Sequence, residues 1–145
     1  MKFKILCIYI ITSLFFISCI IPKMNLNASI ADKVNNNTAI PVDIIFIFDE
    51  KLIDEFKKMP AANWFIKKEQ YINDYALNDK IQILTFEFVP GQQFFLQEFE
   101  PNYKPINTII FANYANTNEN RIIIQNYKSI HLNLNDTSFV LMKEN

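Results

Sequence analysis

The chain has 145 residues with 14 Lys+Arg against 15 Asp+Glu, a near-balance that excludes the basic footprint of a nucleic-acid binder or a polybasic membrane patch. A single glycine, Gly91, cannot build the phosphate-cradling loops of nucleotide-binding proteins, which need several positions without a Cβ. One histidine and two cysteines leave little for clustered metal sites or for Ser-His-Asp and Cys-His catalysis.

The first segment reads as an export signal. Lys2 and Lys4 form a basic start, residues 5–17 are almost wholly apolar, and Phe16-Ile17-Ser18-Cys19 has the small-residue-then-cysteine form of a bacterial lipoprotein processing site, with Phe16 where leucine is usual. The apolar run stops at Cys19-Ile20-Ile21-Pro22, short of the roughly 20 residues of a spanning helix and without a basic flank. Residues 1–18 are therefore expected to be a cleaved signal peptide, 19–22 a lipidated tether and 23–145 a single domain. Cys19 is the expected lipidation site, its thiol carrying a diacylglyceryl thioether. Cleavage would remove Lys2, Lys4 and Cys7, leaving 12 basic against 15 acidic side chains, a charge of −3, and no possible disulfide. Ile20 stands where an aspartate would retain a lipoprotein in the inner membrane, so the expected location is the outer membrane, facing the periplasm.

Past the tether, Met24, Leu26, Ala28 and Ile30 alternate and predict a strand over 23–31. A polar, turn-rich stretch from Asp32 leads to Pro41 and reads as a surface loop that tolerates changes of length. In 42–48, Val42, Ile44, Phe46 and Phe48 mark one strand face, while Ile45 and Ile47 make the other apolar too. That strand must be covered on both sides. Asp49 is placed to cap a helix bearing Leu52, Ile53, Phe56 and Met59 on one side, which Pro60 ends. A second helix from Ala61 to about Tyr71 aligns Trp64, Phe65, Lys68 and Tyr71, and its aromatics are expected to pack onto Ile45 and Ile47 rather than form an exposed patch. Together these make a helical insertion at about 49–72.

The remainder carries only strand signals: 80–89, then a Pro90-Gly91-Gln92 turn, 93–99, 107–114, 121–126, 129–134 and 139–142. Seven to eight short strands at near-regular spacing predict a mainly β protein, an antiparallel sandwich. His131 alternates with Ile130 and Leu132 and so falls on the polar face with Asn133 and Asn135. The neighbouring carboxylates Asp49/Glu50, Asp54/Glu55 and Glu98/Glu100, and the pairs Lys57-Lys58 and Lys67-Lys68, read as solvated faces. No constellation supplies nucleophile, base and oxyanion donors together, so the chain reads as a non-enzyme with no cofactor and no small-molecule substrate.

The order of features resembles the TssJ family, the outer-membrane lipoproteins of bacterial type VI secretion systems. The resemblance runs from Cys19 through the strand at Met24 and the apolar Pro41-Val42-Asp43-Ile44-Ile45-Phe46. It continues through the helical insertion from Phe56, Phe86-Glu87-Phe88-Val89-Pro90-Gly91, Ile109-Ile110-Phe111-Ala112-Asn113-Tyr114 and three closing strands. The chain departs at Asn113-Tyr114 and Asn120-Arg121, where family members often show Phe-Arg and Trp-Arg, as a divergent member would. The resemblance implies a transthyretin-like β-sandwich that fixes the periplasmic part of a TssM-like inner-membrane protein to the outer-membrane lipid bilayer. It also implies docking through the loop between the first two strands, here Lys33, Val34, Asn35, Asn36, Asn37, Thr38, Ala39 and Ile40. Two other classes fit the residues: a periplasmic ligand-binding sandwich, which needs an internal cavity, and a pilot lipoprotein for a secretin.

Overall fold

Alternation along the strands decides the architecture. In the computed structural model, which describes residues 21–116, 119–125 and 127–142, eight strands form two four-stranded sheets. They are β1 (Met24–Ile30), β2 (Ile40–Ile47), β3 (Ile81–Phe88), β4 (Gln93–Phe99), β5 (Asn107–Ala112), β6 (Arg121–Ile124), β7 (Ser129–Leu134) and β8 (Phe139–Leu141). One sheet has the order β4-β1-β7-β8 and the other β3-β2-β5-β6. The buried residues of β1 and β7 alternate strictly, so one face of the first sheet packs inward and the other is solvated. Pairing is antiparallel except between β1 and β7, which run parallel with Leu26 opposite Ile130 and Ala28 opposite Leu132. The expected antiparallel sandwich is observed, with this one parallel pair in it: a strand placed between β4 and β7 takes its direction from the sandwich crossovers, which alternation does not report.

Between the sheets, Leu26, Ile44, Phe46, Phe88, Ile110 and Leu132 are among the fully or nearly fully buried side chains of one core. Aromatic pairs fill it: Phe46 stacks on Phe99 at 5.9 Å and Phe88 meets Phe94 edge-on at 5.4 Å. The doubly apolar β2 behaves as its sequence requires. Its second face, Ile45 and Ile47, joins Ile109 and Phe111 beneath two helices, forming a second core with Phe56 and Trp64. The protein is thus three layers: sheet, sheet, helices.

The helices are α1 (Ile53–Lys58), entered through a 3-10 turn at Glu50–Leu52, and α2 (Ala61–Tyr71), which continues as a π turn over Ile72–Ala76. The insertion therefore extends to Ala76, beyond the expected limit near 72. Asp49 caps it as expected, its carboxylate accepting from the Lys51 N–H at 3.0 Å. Lys68, expected on a solvated face, is instead drawn inward by Asp43 and pairs with it at 2.9 Å. Among the described residues no helix is long and apolar enough to cross a membrane.

Candidate functional site at the two ends of the sandwich

Backbone hydrogen bonds gather the loops into two groups, one at each end of the strands. At the end where β1 begins, Met24 lies opposite Phe99, and the Asn25 N–H donates to the Lys128 carbonyl at 2.8 Å. The Ile106 N–H donates there to Ile47 at 2.9 Å, and the Phe48 N–H to Lys80 at 2.9 Å. This end receives the chain leaving Cys19, which itself lies outside the described residues, as does the expected signal peptide.

At the other end, the Gly91 N–H donates to Ala31 at 3.0 Å and the Asn35 N–H to Asp136 at 3.0 Å, tying the turns after β1, β3 and β7 together. Gly91 sits at φ 72°, the left-handed region a glycine tolerates best. The loop from β1 to β2 holds three successive residues in that region, Asn35, Asn36 and Asn37, at φ 48°, 57° and 58°. Asparagine accepts this conformation more readily than other non-glycine residues, which accounts for a run of three here.

This loop is the expected docking segment, and it divides into two populations. Lys33, Asn36, Asn37 and Thr38 are exposed and Ala39 is half-exposed, whereas Val34, Asn35 and Ile40 are buried. Val34 plugs the end of the inter-sheet core, and Ile40 is already the first residue of β2. Asn35 acts as a four-way tie. Its amide nitrogen donates to the Thr38 hydroxyl at 3.0 Å and the Ala39 carbonyl at 2.9 Å, and its amide oxygen accepts from the Ala115 N–H at 2.7 Å. The loop is thus no loose polar excursion: its backbone is organised by a buried side chain. The surface it can offer a partner is Lys33, Asn36, Asn37, Thr38 and part of Ala39.

Tyr114, just beyond β5, braces the same end. Its hydroxyl reaches the carbonyls of Ser138 at 2.8 Å and Asn135 at 3.1 Å, and burial, with a smaller contribution from the Asp136 charge, pushes its pKa up. His131 lies on the outer polar face as expected, 3.2 Å from the Asn27 amide nitrogen and 3.2 Å from the Ser129 hydroxyl. The paired carboxylates do not converge. Glu98 pairs with Lys23 at 3.2 Å, Asp49 caps a helix and Glu55 accepts from the Tyr71 hydroxyl. Among the described residues no three His, Cys, Asp or Glu side chains are grouped to hold a metal. The most consequential polar group went unnoticed in the sequence: Asp43, fully buried on β2, accepts from Trp64 Nε1 and from Lys68. Its only sequence signal is a carboxylate at an inward position of an otherwise apolar strand.

No protein-family model and no curated protein matches the sequence. Solved structures do. The chain superposes on Lip from Serratia marcescens, a membrane-bound component of the type VI secretion system, with a TM-score of 0.60 over 87% of this chain and 99% of that one, at 14% identity. The chain has the TssJ fold. The lipoprotein TssJ1 from Pseudomonas aeruginosa superposes with a TM-score of 0.61 over 86% of this chain and 98% of that one, at 11% identity. A chain in a structure described as the TssM C-terminal domain (869–1107) from EAEC gives 0.61 over 84% of this chain and 98% of that one, at 12% identity.

Proposed function

We propose that this protein is a non-enzymatic outer-membrane lipoprotein that anchors the membrane complex of a type VI secretion system. Acyl chains on Cys19 hold it on the outer membrane, facing the periplasm, and its opposite end docks a TssM-like inner-membrane protein. The observation that carries this reading is the separation of the two ends. The chain enters at Met24, while the exposed residues Lys33, Asn36, Asn37 and Thr38 sit past the other end of β1, a strand of seven residues that spans about 20 Å.

The comparisons support the same reading. Solved structures of the same fold are described as a membrane-bound component of the type VI secretion system, as the lipoprotein TssJ1 and as a TssM C-terminal domain. Ligand binding inside the sandwich finds less support, because the inter-sheet space is occupied by Phe46, Phe88, Phe94 and Phe99. One depression of about 310 Å³ lies outside it, beside β3, lined by Ile72, Ile81 and Ile83.

The test compares wild type, Cys19→Ser and an unlipidated exported form in a strain lacking the protein. Wild type should take up labelled fatty acid, fractionate with the outer membrane and restore export of the secreted tube protein. Cys19→Ser should lose all three. Persistent labelling of Cys19→Ser would sink the lipid anchor, and full export by the unlipidated form would sink the tether.

A further inference from the structure

The end of the sandwich that receives the tether displays apolar side chains that the core does not use. Tyr103 is 49% and Ile106 is 47% exposed in the loop between β4 and β5, and Leu77, in the turn after α2, is 73% exposed. The loop is held in place. The Ile106 N–H donates to Ile47 at 2.9 Å, the Asn102 N–H donates to the Gln82 side chain at 2.8 Å, and the Tyr103 ring sits edge-on to Phe48 at 5.3 Å. A braced loop that presents a tyrosine, an exposed Lys104 and an isoleucine suits the boundary of a lipid bilayer, where an amphipathic ring sits at headgroup level and an ammonium meets phosphate.

Covalent geometry says which end can meet that boundary. From Cys19 to Met24 there are five residue steps, which reach at most about 18 Å. Strand β1, six steps and about 20 Å from Met24 to Ile30, is longer than that reach, so a lipid on Cys19 keeps the Tyr103 end near the bilayer and the Asn36 end away from it. Of the other exposed apolar residues, Val89 lies at the far end, Phe95 on the outer face of the first sheet and Ile66 on α2, while Ile123, Val140 and Met142 lie on or just past the edge strands β6 and β8 rather than in this loop.

We propose that Tyr103, Ile106 and Leu77 form a second, non-covalent contact with the same bilayer that takes the acyl chains of Cys19. This contact rests on the lipid-anchor reading, and it turns a swivelling tether into a fixed orientation. The far-end loops then point steadily across the periplasm.

The experiment places single tryptophans at Tyr103→Trp, Ile106→Trp, Leu77→Trp and, as control, Val89→Trp. Trp64, the native tryptophan, is fully buried and gives all four a common background. The mature chain sits on vesicles of phosphatidylethanolamine and phosphatidylglycerol whose acyl chains carry bromine near the headgroup. It is held there by its own lipid or, where mass spectrometry of the envelope protein finds none, by coupling Cys19 to a maleimide headgroup. Quenching at 103, 106 and 77 should be several-fold greater than at 89. Equal quenching at all four sites on vesicle-bound protein would overturn the membrane contact. Failure of the lipid reading would show separately, as an unmodified Cys19 mass.

Discussion

Trp64 donates its indole N–H to Asp43 at 2.8 Å, and neither side chain is exposed to solvent. The bond crosses from α2 to the middle of β2, and Lys68, one helical turn further, pairs with the same carboxylate at 2.9 Å. The indole also stacks on Phe111 at 5.5 Å. One carboxylate thus fixes the helical layer in position and rotation on the second sheet.

Removing that carboxylate should be costly. Asp43→Ala leaves a buried indole N–H and a half-buried ammonium unpaired, with an expected loss of about 3–5 kcal/mol. Asp43→Asn keeps an acceptor for Trp64 and should lose less. Trp64→Ala should cost about 3–5 kcal/mol through its cavity. Urea midpoints of the three variants check the order, and an Asp43→Ala midpoint equal to wild type would contradict the role given to the carboxylate.

In the loop between β1 and β2, Asn35→Ala should cost about 1–3 kcal/mol, because it orphans the Ala115 N–H and puts a Cβ residue without side-chain compensation at a left-handed φ. Substitution at Lys33, and Asn36→Asp and Asn37→Asp, which keep a side chain that tolerates the left-handed region, should stay within about 0.5 kcal/mol. Affinity for the periplasmic part of a TssM-like protein should respond in the opposite pattern, falling for the exposed trio at unchanged stability. Unchanged affinity in an Asn36→Asp, Asn37→Asp double variant would move the docking surface elsewhere.

Alkaline pH should weaken the fold through its buried phenols. Burial raises the Tyr114 pKa above its ordinary value of about 10, and burial together with the Glu55 hydrogen bond and charge raises that of Tyr71. A raised folded value means that the stabilising contribution is complete below pH about 10 and is lost as the pH climbs from there toward the folded value. Tyr114→Phe should lose about 0.5–1.5 kcal/mol at neutral pH with its hydrogen bond. It should also show a shallower decline above pH about 10 than wild type. Thermal melts across that range measure both effects.

Anchoring and folding should be separable. A chain beginning at Lys23 keeps all of β1 and loses no residue of either core, so it should melt with the same midpoint as the mature protein. A lowered midpoint would mean that 19–22 contributes contacts of its own. Lys23 itself adds little, since its pair with Glu98 is exposed on both sides.

Much of the fold was legible in local pattern. The period-2 alternation of β1 and β7 fixed their inner faces, Pro90-Gly91 fixed the turn between β3 and β4, and the double apolar face of β2 announced a layer on each side. Pattern of this kind works because a half-buried strand exposes every second side chain whatever it pairs with. The parallel β1–β7 pairing was not legible, since alternation is identical for either direction.

The candidate site was legible only in outline. The Asn35–Asn37 run marked a turn, but which asparagine would face water depended on Asp136 and Ala115, some 80 to 100 residues away in sequence. Lys68 looked like any helix-surface lysine until the fold brought Asp43 beneath it. By itself, the sequence determined the layers and the inward faces, because these follow from periodicity along the chain. The tertiary structure alone decided that β1 begins at Met24 at one end while Asn36 and Asn37 emerge at the other, and that Asp43 is satisfied. Those relations join residues far apart in sequence, and only the packing of one element on another brings them together or holds them apart.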